Sequence, residues 1–580
     1  MTGVCRPGYG AAKSPLRGAH AVPLGGRQHR RRRLTRVVCG PRAVGEPGHA
    51  RTLHAREPGE PSFARGPDQA GGPPEEGQGR KLGMNEAGQS HSPVVPAKPA
   101  NKATGVAAEL VEERGLTEGN TESPARSGHR AGIRVPRGLE RVRQVAGRDK
   151  EMRFTALLHH VTVELLGEGF QALRREAAPG VDGMTWEAYA AELEGNLQEL
   201  HDRLHRGAYR AKPSRRVFMP KADGRQRPLG VASLEDKILQ WALVEVLNAI
   251  YETDFLGFSY GFRPRRSQHD ALDALEVGIE RRKVNWVLDA DLRDFFGSLD
   301  QGWMEKLVEH RIADKRVLRL IQQWLKAGVV EDGKWSASEA GTPQGAVVSP
   351  LLANVYLHYV FDQWAEQWRR RQATGGMVLV RYADDFVAGF QHREDAQRFL
   401  AGLSERLARF GLELKAEKTR LIEFGRYAAQ RRQERGLGKP ETFDFLGFTH
   451  ICGKTRDGKR FVLKRKTSAK KMRAKLKEIK AELRRRIHLP IPEVGRWLQR
   501  VVRGHHLYYA VSGNLKAIHE FNDQVTRHWL QALRRRSQRD HTAWQRMNRL
   551  AEKWLPPPRV LHPYPAQRFA VRTQGKNRVR

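Results

Sequence analysis

The chain has 580 residues, 39% of them hydrophobic, so it is long enough for several domains with packed cores. Its 103 lysines and arginines outnumber 65 acidic residues and give a net charge of +38, which makes a polyanionic partner the leading expectation. Three scattered cysteines, no apolar run of membrane-spanning length and no secretory signal argue against a disulfide scaffold, a zinc site and a membrane protein, and favour a cytoplasmic protein.

Residues 1–135 are rich in Gly, Pro, Arg and Ser and lack sustained periodicity, which predicts a disordered basic extension. Its arginine run, Gln28–Arg33, fits either an RNA-binding arm or part of a targeting peptide. Translation from Met84 instead of Met1 is a third reading, and the sequence leaves the choice open.

The pattern becomes globular from about residue 150. Apolar residues over Phe154–Leu158 and Leu165–Leu166 predict a helix, and Pro179–Gly183 predicts a turn. The segment Val217–Leu229 is typical of two strands joined by a turn, and Leu234–Tyr251 is apolar at helical spacing.

Two adjacent acids, Asp384 and Asp385, lie between the apolar runs Val378–Val380 and Phe386–Ala388. This pattern predicts a β-hairpin whose tight turn presents both carboxylates to solvent. Further acids lie upstream in the strand-like segment Val287–Leu292. Acids this close repel one another unless a divalent cation neutralises them, and three carboxylates at neighbouring strand ends suit a pair of Mg²⁺ ions in nucleotidyl transfer.

The C-terminal part is strongly basic, with about 34 lysines and arginines and about 8 acidic residues from Lys454 to Arg580. A helix is predicted from Ala469, because Met472, Leu476, Ile479, Leu483 and Ile487 recur three or four residues apart. A second helix is predicted around Ile518, Phe521, Val525, Trp529 and Leu533. Basic side chains with aromatic rings between them are a composition typical of nucleic-acid binding.

From about 150 to 575 the chain resembles the reverse transcriptases of bacterial group II introns, which also act as maturases. The resemblance depends on blocks that occur in the family's order: Ala178–Gly183, Pro220–Gly230, Phe258–Leu272, Asp289–Asp300 (motif A), Gly341–Leu357 (motif B), Tyr382–Asp385 (motif C), Gly411–Thr419 (motif D) and Phe443–Phe448.

This resemblance implies an α+β, right-hand polymerase fold of fingers, palm and thumb. The expected domains are N-terminal helices and fingers over 136–285, a palm over 286–453, a basic helical thumb or maturase domain over 454–540, and a basic tail over 541–580.

The resemblance also implies that Asp291, Asp384 and Asp385 are catalytic and hold two Mg²⁺ ions, with the carbonyl of Leu292 as a further oxygen ligand. Asp289 is the rival to Asp291, since a strand's period of two puts both on one face. Geometry does not choose between them, whereas the family's spacing from acid to aromatic selects Asp291.

The nucleotide-binding residues implied by the resemblance are Lys221, Arg227, Phe296, Gln344, Gly345 and Lys418. Lys221 and Arg227 would grip the triphosphate, and Phe296 would exclude a 2′-hydroxyl. Lys418 would protonate pyrophosphate, although Lys415 is a nearby alternative. RNA binding is expected at two arginine triplets: Arg484, Arg485, Arg486, Arg534, Arg535 and Arg536.

The implied partners are group II intron RNA, an RNA template with a DNA primer, dNTPs and target DNA, and the implied setting is the bacterial nucleoid. Two alternatives are a splicing-only maturase with a vestigial polymerase site and a reverse transcriptase without an intron, of the retron, diversity-generating or CRISPR-associated type. No cluster of Cys pairs and His suggests an HNH endonuclease, so second-strand cleavage is not expected. The oligomeric state stays open.

Overall fold

The computed structural model of the protein describes residues 137–220, 226–338, 340–342, 345–537 and 542–573. The predicted disordered extension over 1–135, with its arginine run and Met84, lies outside these residues. The described part mixes helices and sheets, which confirms the predicted α+β composition. The predicted domain boundaries are not tested by the structure and stay predictions.

The helices and strands of the described ranges follow one another along the chain. The helices are α1 (Arg137–Arg148), α2 (Val163–Ala172), α3 (Trp186–Ala190), α4 (Leu193–His205), α5 (Leu234–Asp254), α6 (Gln268–Arg281), α7 (Phe295–Ser298), α8 (Gln301–Glu309), α9 (Lys315–Lys326), α10 (Ser349–Leu357), α11 (Gln363–Arg371), α12 (Arg393–Ala408), α13 (Ala428–Glu434), α14 (Ala469–Arg485), α15 (Ile491–Tyr509), α16 (Leu515–Arg534), α17 (Trp544–Trp554) and α18 (Pro565–Thr573). The strands are β1 (Ser214–Pro220), β2 (Gln226–Val231), β3 (Trp286–Asp291), β4 (Val329–Glu331), β5 (Lys334–Ser336), β6 (Met377–Tyr382), β7 (Asp385–Phe390), β8 (Arg420–Glu423), β9 (Phe443–Phe445), β10 (Phe448–Lys454) and β11 (Phe461–Thr467). None of these helices is long and apolar enough to cross a membrane, as far as the described residues extend.

The N-terminal helices pack around α5, the predicted helix over Leu234–Tyr251, which is confirmed. The Ser233 hydroxyl accepts the Asp236 N–H and so caps the first turn of α5. The helix predicted around 154–166 begins later than expected, because Phe154 forms a strand-like bridge to Ile312 and α2 starts only at Val163, after the cap Thr162.

The first sheet has the strand order β2-β1-β4-β5. Strands β1 and β2 pair antiparallel with Val217 opposite Leu229, as the sequence predicts, and β1 pairs parallel with β4. Residues 221–225, which connect β1 to β2 and include Lys221, lie outside the described residues.

The central sheet has the order β6-β7-β3-β8, and all its pairs are antiparallel. Its side chains alternate between two apolar cores, as a strand's period of two requires. Leu288 and Ala388 join the core of the N-terminal helices, whereas Val287 and Val387 join a second core with α6. With both faces covered, most polar residues of this sheet lie at its strand ends, and Asp289 and Arg381 are the exceptions.

The C-terminal region begins with a sheet of order β11-β10-β9 and continues into helices around a third core. The predicted helices are confirmed as α14, which begins at Ala469 and ends before Ile487, and α16. Helix α18 returns to α6, where Arg568 forms an ion pair with the buried Asp273.

Candidate active site

The hairpin β6–β7 carries the two adjacent acids. Tyr382 ends β6 and lies opposite Asp385, the first residue of β7, so Ala383 and Asp384 form a two-residue turn. Ala383 takes a left-handed φ of 55°, which fits such a tight turn. The predicted hairpin is confirmed, but its exposure is uneven: Asp385 is exposed, whereas Asp384 is half-buried.

The third acid lies across the sheet from this turn. Asp291, the last residue of β3, is paired with Asp385 in the β3–β7 register, and their carboxyl groups are within hydrogen-bonding reach. Although part of Asp385 is open to solvent, the protein packed around its carboxyl group desolvates it, and this effect, followed by the charges of Asp384 and Asp291, raises the pKa of Asp385 to about 7. Desolvation also raises the pKa of Asp384. Asp291, Asp384 and Asp385 therefore lie together as one cluster of like charges that repel one another.

The rival acid on β3 has a different partner. Asp289 lies opposite Val387 on one side and Arg420 of β8 on the other, and Arg420 Nη2 donates to Asp289 Oδ2 at 3.2 Å. Its charge is thus matched by a cation within the sheet. Of the two acids on β3, only Asp291 lies opposite an acid of the hairpin, which favours the choice made from the family's spacing.

Lys418 supplies the nearest positive charge to this cluster, since its ammonium group forms an ion pair with Asp291. Desolvation acts to lower the pKa of Lys418, but the hydrogen bond to Asp291 and the charges of Asp291, Asp385 and Asp384 together outweigh it, so that the pKa is raised. Within the described residues, no group of three or more His, Cys, Asp and Glu side chains is arranged so that it could already hold a metal ion. The single positive charge of Lys418 offsets only part of the negative charge of Asp291, Asp384 and Asp385.

The donor set nevertheless fits a hard divalent cation, which prefers carboxylate and carbonyl oxygens. Desolvation, and after it the repulsion between the neighbouring carboxylates, raises the pKa values of Asp384 and Asp385, and a bound cation would relieve both effects. Leu292 forms an isolated antiparallel bridge with Leu414. The two hydrogen bonds of this bridge run from Lys415 N–H to Asp291 O and from Arg293 N–H to Glu413 O, so the bridge does not use the Leu292 carbonyl.

Two of the nucleotide-binding candidates lie on β2 or against it. Arg227, half-buried on β2, is close enough to lower the pKa of Asp384 by its charge. Gly345 has a φ of 107°, and a Cβ there would lie 2.7 Å from the carbonyl oxygen of Gly230, also on β2. Only glycine allows this approach between motif B and β2. Lys221 and Gln344 lie outside the described residues.

The candidate sugar-selecting ring, Phe296, is half-buried and has an exposed aromatic neighbour. Phe262 lies edge-on to it with ring centroids 6.4 Å apart, and takes a left-handed φ of 58°. The preceding Gly261 lies against the β6–β7 turn, since a Cβ on it would be 2.2 Å from Ala383 N. Neither Gly261 nor Phe262 has a role predicted from the sequence, although both belong to the block Phe258–Leu272.

The two arginine triplets lie together in the C-terminal helices, because Arg536 Nη2 donates to Leu489 O in the segment that follows α14. Arg534 also serves the fold by donating to Thr542 O, and Arg486 covers the ring of Trp497 at 5.0 Å. The other three, which are exposed and better placed to meet a ligand, are Arg484, Arg485 and Arg535.

Comparisons with known proteins agree with this geometry. Residues 219–450 match the family described as reverse transcriptase (RNA-dependent DNA polymerase). Protein YkfC of Escherichia coli (strain K12) is 35% identical over 277 residues, which cover 42% of this chain and 72% of YkfC. The group II intron-encoded protein LtrA of Lactococcus lactis subsp. cremoris is 31% identical over 222 residues, 38% of this chain. Nuclear intron maturase 2, mitochondrial, of Arabidopsis thaliana is 27% identical over 172 residues, 23% of each chain.

The alignment spans only 37% of LtrA, so the activities of LtrA as a whole are not transferred by it. Members of the matched family share a polymerase fold of palm, fingers and thumb and generally use divalent metal ions. The matched segment contains Asp291, Asp384 and Asp385. The chain therefore belongs to the reverse transcriptases, the RNA-directed DNA polymerases, and within them to the group II intron-encoded reverse transcriptase and maturase family.

Proposed function

We propose that the chain copies RNA into DNA at the β6–β7 hairpin, with Asp291, Asp384 and Asp385 holding two Mg²⁺ ions. The observation that carries this proposal is the β3–β7 register, in which Asp291 lies opposite Asp385 beside the turn. The Leu292 carbonyl would add a further oxygen. Divalent cations bound here would lower the pKa of the primer 3′-hydroxyl and neutralise charge on the triphosphate.

The other residues would bind and orient the nucleotide. Arg227, and Lys221 on the adjoining turn, would bind the triphosphate, since a guanidinium offers bidentate geometry to phosphate oxygens. Lys418 keeps its proton because of its ion pair with Asp291, and would donate that proton to the departing pyrophosphate. Gln344 and Gly345 would lie along the new base pair.

Removal of divalent cations tests the proposed function. Purified full-length protein should extend a DNA primer on an RNA template in Mg²⁺, and an excess of EDTA should abolish extension while leaving RNA binding largely intact. The physical reason is that the three carboxylates would then repel the triphosphate. Primer extension on RNA measures both states, and protein that binds the template but extends no primer in Mg²⁺ would contradict the proposal.

Sugar selection by Phe296 gives a separate prediction. Replacing Phe296 with alanine should lower the preference for dNTPs over rNTPs by roughly 100-fold, because the space for a 2′-hydroxyl is opened. The ratio of kcat/KM values for the two nucleotides is the measurement. Phe296→Tyr keeps the ring and should keep the preference, so an equal loss in both variants would refute the assignment.

We further propose that the C-terminal helices, as thumb and maturase domain, bind intron RNA and assist splicing and target-primed reverse transcription in the bacterial cytoplasm. Helix α14 supports this with a row of exposed cations along one flank of its buried face, which we call the α14 ridge: Lys470, Arg473, Lys477, Lys480 and Arg484. Their spacing of three and four residues aligns them along one side of the helix, where they can follow a phosphate backbone.

Salt dependence tests the α14 ridge. The double variant Lys480→Ala/Arg484→Ala should bind intron RNA more weakly and should lower the slope of log affinity against log salt by about 1.5, because each phosphate contact contributes about 0.7–0.9. The matched control is Lys315→Ala/Arg319→Ala, an exposed Lys–Arg pair at the same spacing on α9. Equal slopes for the two variants would remove the ridge from the RNA-binding surface.

A further inference from the structure

A buried arginine lies directly behind the catalytic turn. Arg381 precedes Tyr382 on β6, in an otherwise apolar run, and its side chain is 1% exposed. It forms a two-bonded ion pair with the fully buried Asp362: Nε donates to Oδ1 at 2.7 Å and Nη2 donates to Oδ2 at 2.6 Å. Asp362 ends a π-helical segment, His358–Asp362, between α10 and α11, and such segments are frequent at functional sites.

The remaining N–H groups of Arg381 join three further parts of the chain. Nη2 donates to Ser259 Oγ at 2.7 Å, and Nη1 donates to Asn354 Oδ1 at 3.1 Å and to the carbonyl of Ala383 at 2.9 Å. A guanidinium has five N–H groups, and here each has an acceptor. One of those acceptors is the peptide carbonyl that joins Ala383 to Asp384.

The partners of Arg381 also fix the segment that packs on the turn. Asn354 Nδ2 donates to Gly261 O at 2.8 Å, and Gly261 lies against Ala383. Main-chain bonds complete the contact, since Tyr260 N–H donates to Arg381 O and Arg381 N–H donates to Phe258 O, both at 2.9 Å. The turn is therefore held from two sides, by a side-chain network and by a neighbouring backbone.

Stability alone gives a weak reason for this arrangement. A buried ion pair loses so much hydration that apolar residues of similar volume often serve the folded state equally well. What apolar residues cannot do is hold a carbonyl oxygen at a fixed position. The left-handed φ of Ala383 likewise needs surrounding contacts to maintain it.

We propose that Arg381, with Asp362, is a positioning residue that fixes the Ala383–Asp384 peptide so that the carboxylates of Asp384 and Asp385 face Asp291. This inference rests on the proposed function of the three aspartates. Arg381 acts through the backbone of the turn and touches no reacting atom. Ser259 and Asn354 belong to the same hydrogen-bond network because they supply two of the five acceptors of the Arg381 guanidinium.

The test compares full-length Arg381→Lys with Arg311→Lys. Arg311 is also 1% exposed, forms an ion pair with Asp254 and donates to main-chain carbonyls, but its contacts hold the end of α1. Lysine keeps the charge and cannot reproduce the fork of hydrogen bonds. The measurements are kcat and the KM for dNTP on an RNA template, the melting temperature, and the rise in melting temperature that Mg²⁺ causes.

We expect both variants to melt at a lower temperature. Arg381→Lys should lose about 100-fold in kcat with little change in the KM for dNTP, as for a reacting group displaced by about 1 Å. It should also lose the Mg²⁺-dependent rise in melting temperature, because cation binding stabilises only a formed site. Arg311→Lys should keep its kcat and that rise.

Equal losses of kcat in the two variants, or an unchanged kcat and Mg²⁺ response in Arg381→Lys, would overturn the inference. If Arg381→Lys does not fold, Ser259→Ala decides, because it removes one acceptor and leaves the ion pair intact. It should lower kcat roughly 10-fold, which corresponds to one lost hydrogen bond, and an unchanged kcat would overturn the inference. A wild-type protein that neither copies RNA nor responds to Mg²⁺ would instead refute the proposed function.

Discussion

Replacing Asp291 with asparagine should reduce cDNA synthesis by about 1,000-fold or more, because the change removes one of three charged oxygen ligands and several kcal/mol of transition-state stabilisation. The same change at Asp289 should leave most of the activity. Asp289 is matched by Arg420 across β8, whereas Asp291 lies opposite Asp385. Primer extension on an RNA template measures both variants.

The two asparagine variants form a matched pair, since they lie two residues apart on one strand and differ in the partner across the sheet. Asp384→Ala should resemble Asp291→Asn and should keep its affinity for intron RNA, because the α14 ridge is untouched. Full activity of Asp291→Asn with loss at Asp289→Asn would reverse the assignment. Retention of activity by both Asp291→Asn and Asp384→Ala would refute the carboxylate site altogether.

Gly261→Ala should damage both folding and catalysis. The new Cβ would lie 2.2 Å from Ala383 N, 2.9 Å from the Tyr382 carbonyl carbon and 3.0 Å from Ala383 Cα. These are main-chain atoms, so the catalytic turn itself must shift. We expect the free energy of unfolding to fall by about 1–3 kcal/mol. We expect cDNA synthesis to fall by about 100-fold, as for a reacting group displaced by about 1 Å.

Gly257→Ala is the control for this prediction. Gly257 lies in the same loop, and nothing comes within 4 Å of a Cβ built there. Its free energy of unfolding should change by less than about 0.5 kcal/mol, and its activity should stay near that of the wild type. Denaturant unfolding and primer extension measure both glycine variants. Equal behaviour of the two would show that the contact between Gly261 and the turn does not matter.

Local patterns account for the elements that the sequence predicted well. The hairpin β6–β7 was predictable because two apolar runs flank a short polar turn, and α14 and α16 were predictable because their apolar residues recur at helical spacing. The start of α2 was less predictable, since Phe154 pairs with the distant Ile312 instead of continuing a helix. Pairing with a residue far along the chain does not change the local spacing of apolar residues, so it cannot be predicted from that spacing.

The arginine triplets show a similar limit. The sequence identified six clustered cations, but it could not separate those that hold helix ends from those that face solvent. All of Arg484, Arg534, Arg535 and Arg536 are exposed, but Arg534 and Arg536 also donate to carbonyls of other segments. The charge of a side chain can be read from the sequence, whereas the hydrogen-bond acceptor that the side chain contacts depends on how the chain packs.

By itself the sequence determined the family, the β6–β7 hairpin and the two acids at its turn, because each depends on residue types at short spacing. Only the tertiary structure showed that the two acids of β3 have different partners, since strand register matches Asp291 with Asp385 and Asp289 with Arg420. It alone revealed Arg381 and Gly261 behind the turn. Their neighbours include segments that lie far apart in the chain. Contacts between distant segments depend on how the chain packs and cannot be read from a local sequence pattern.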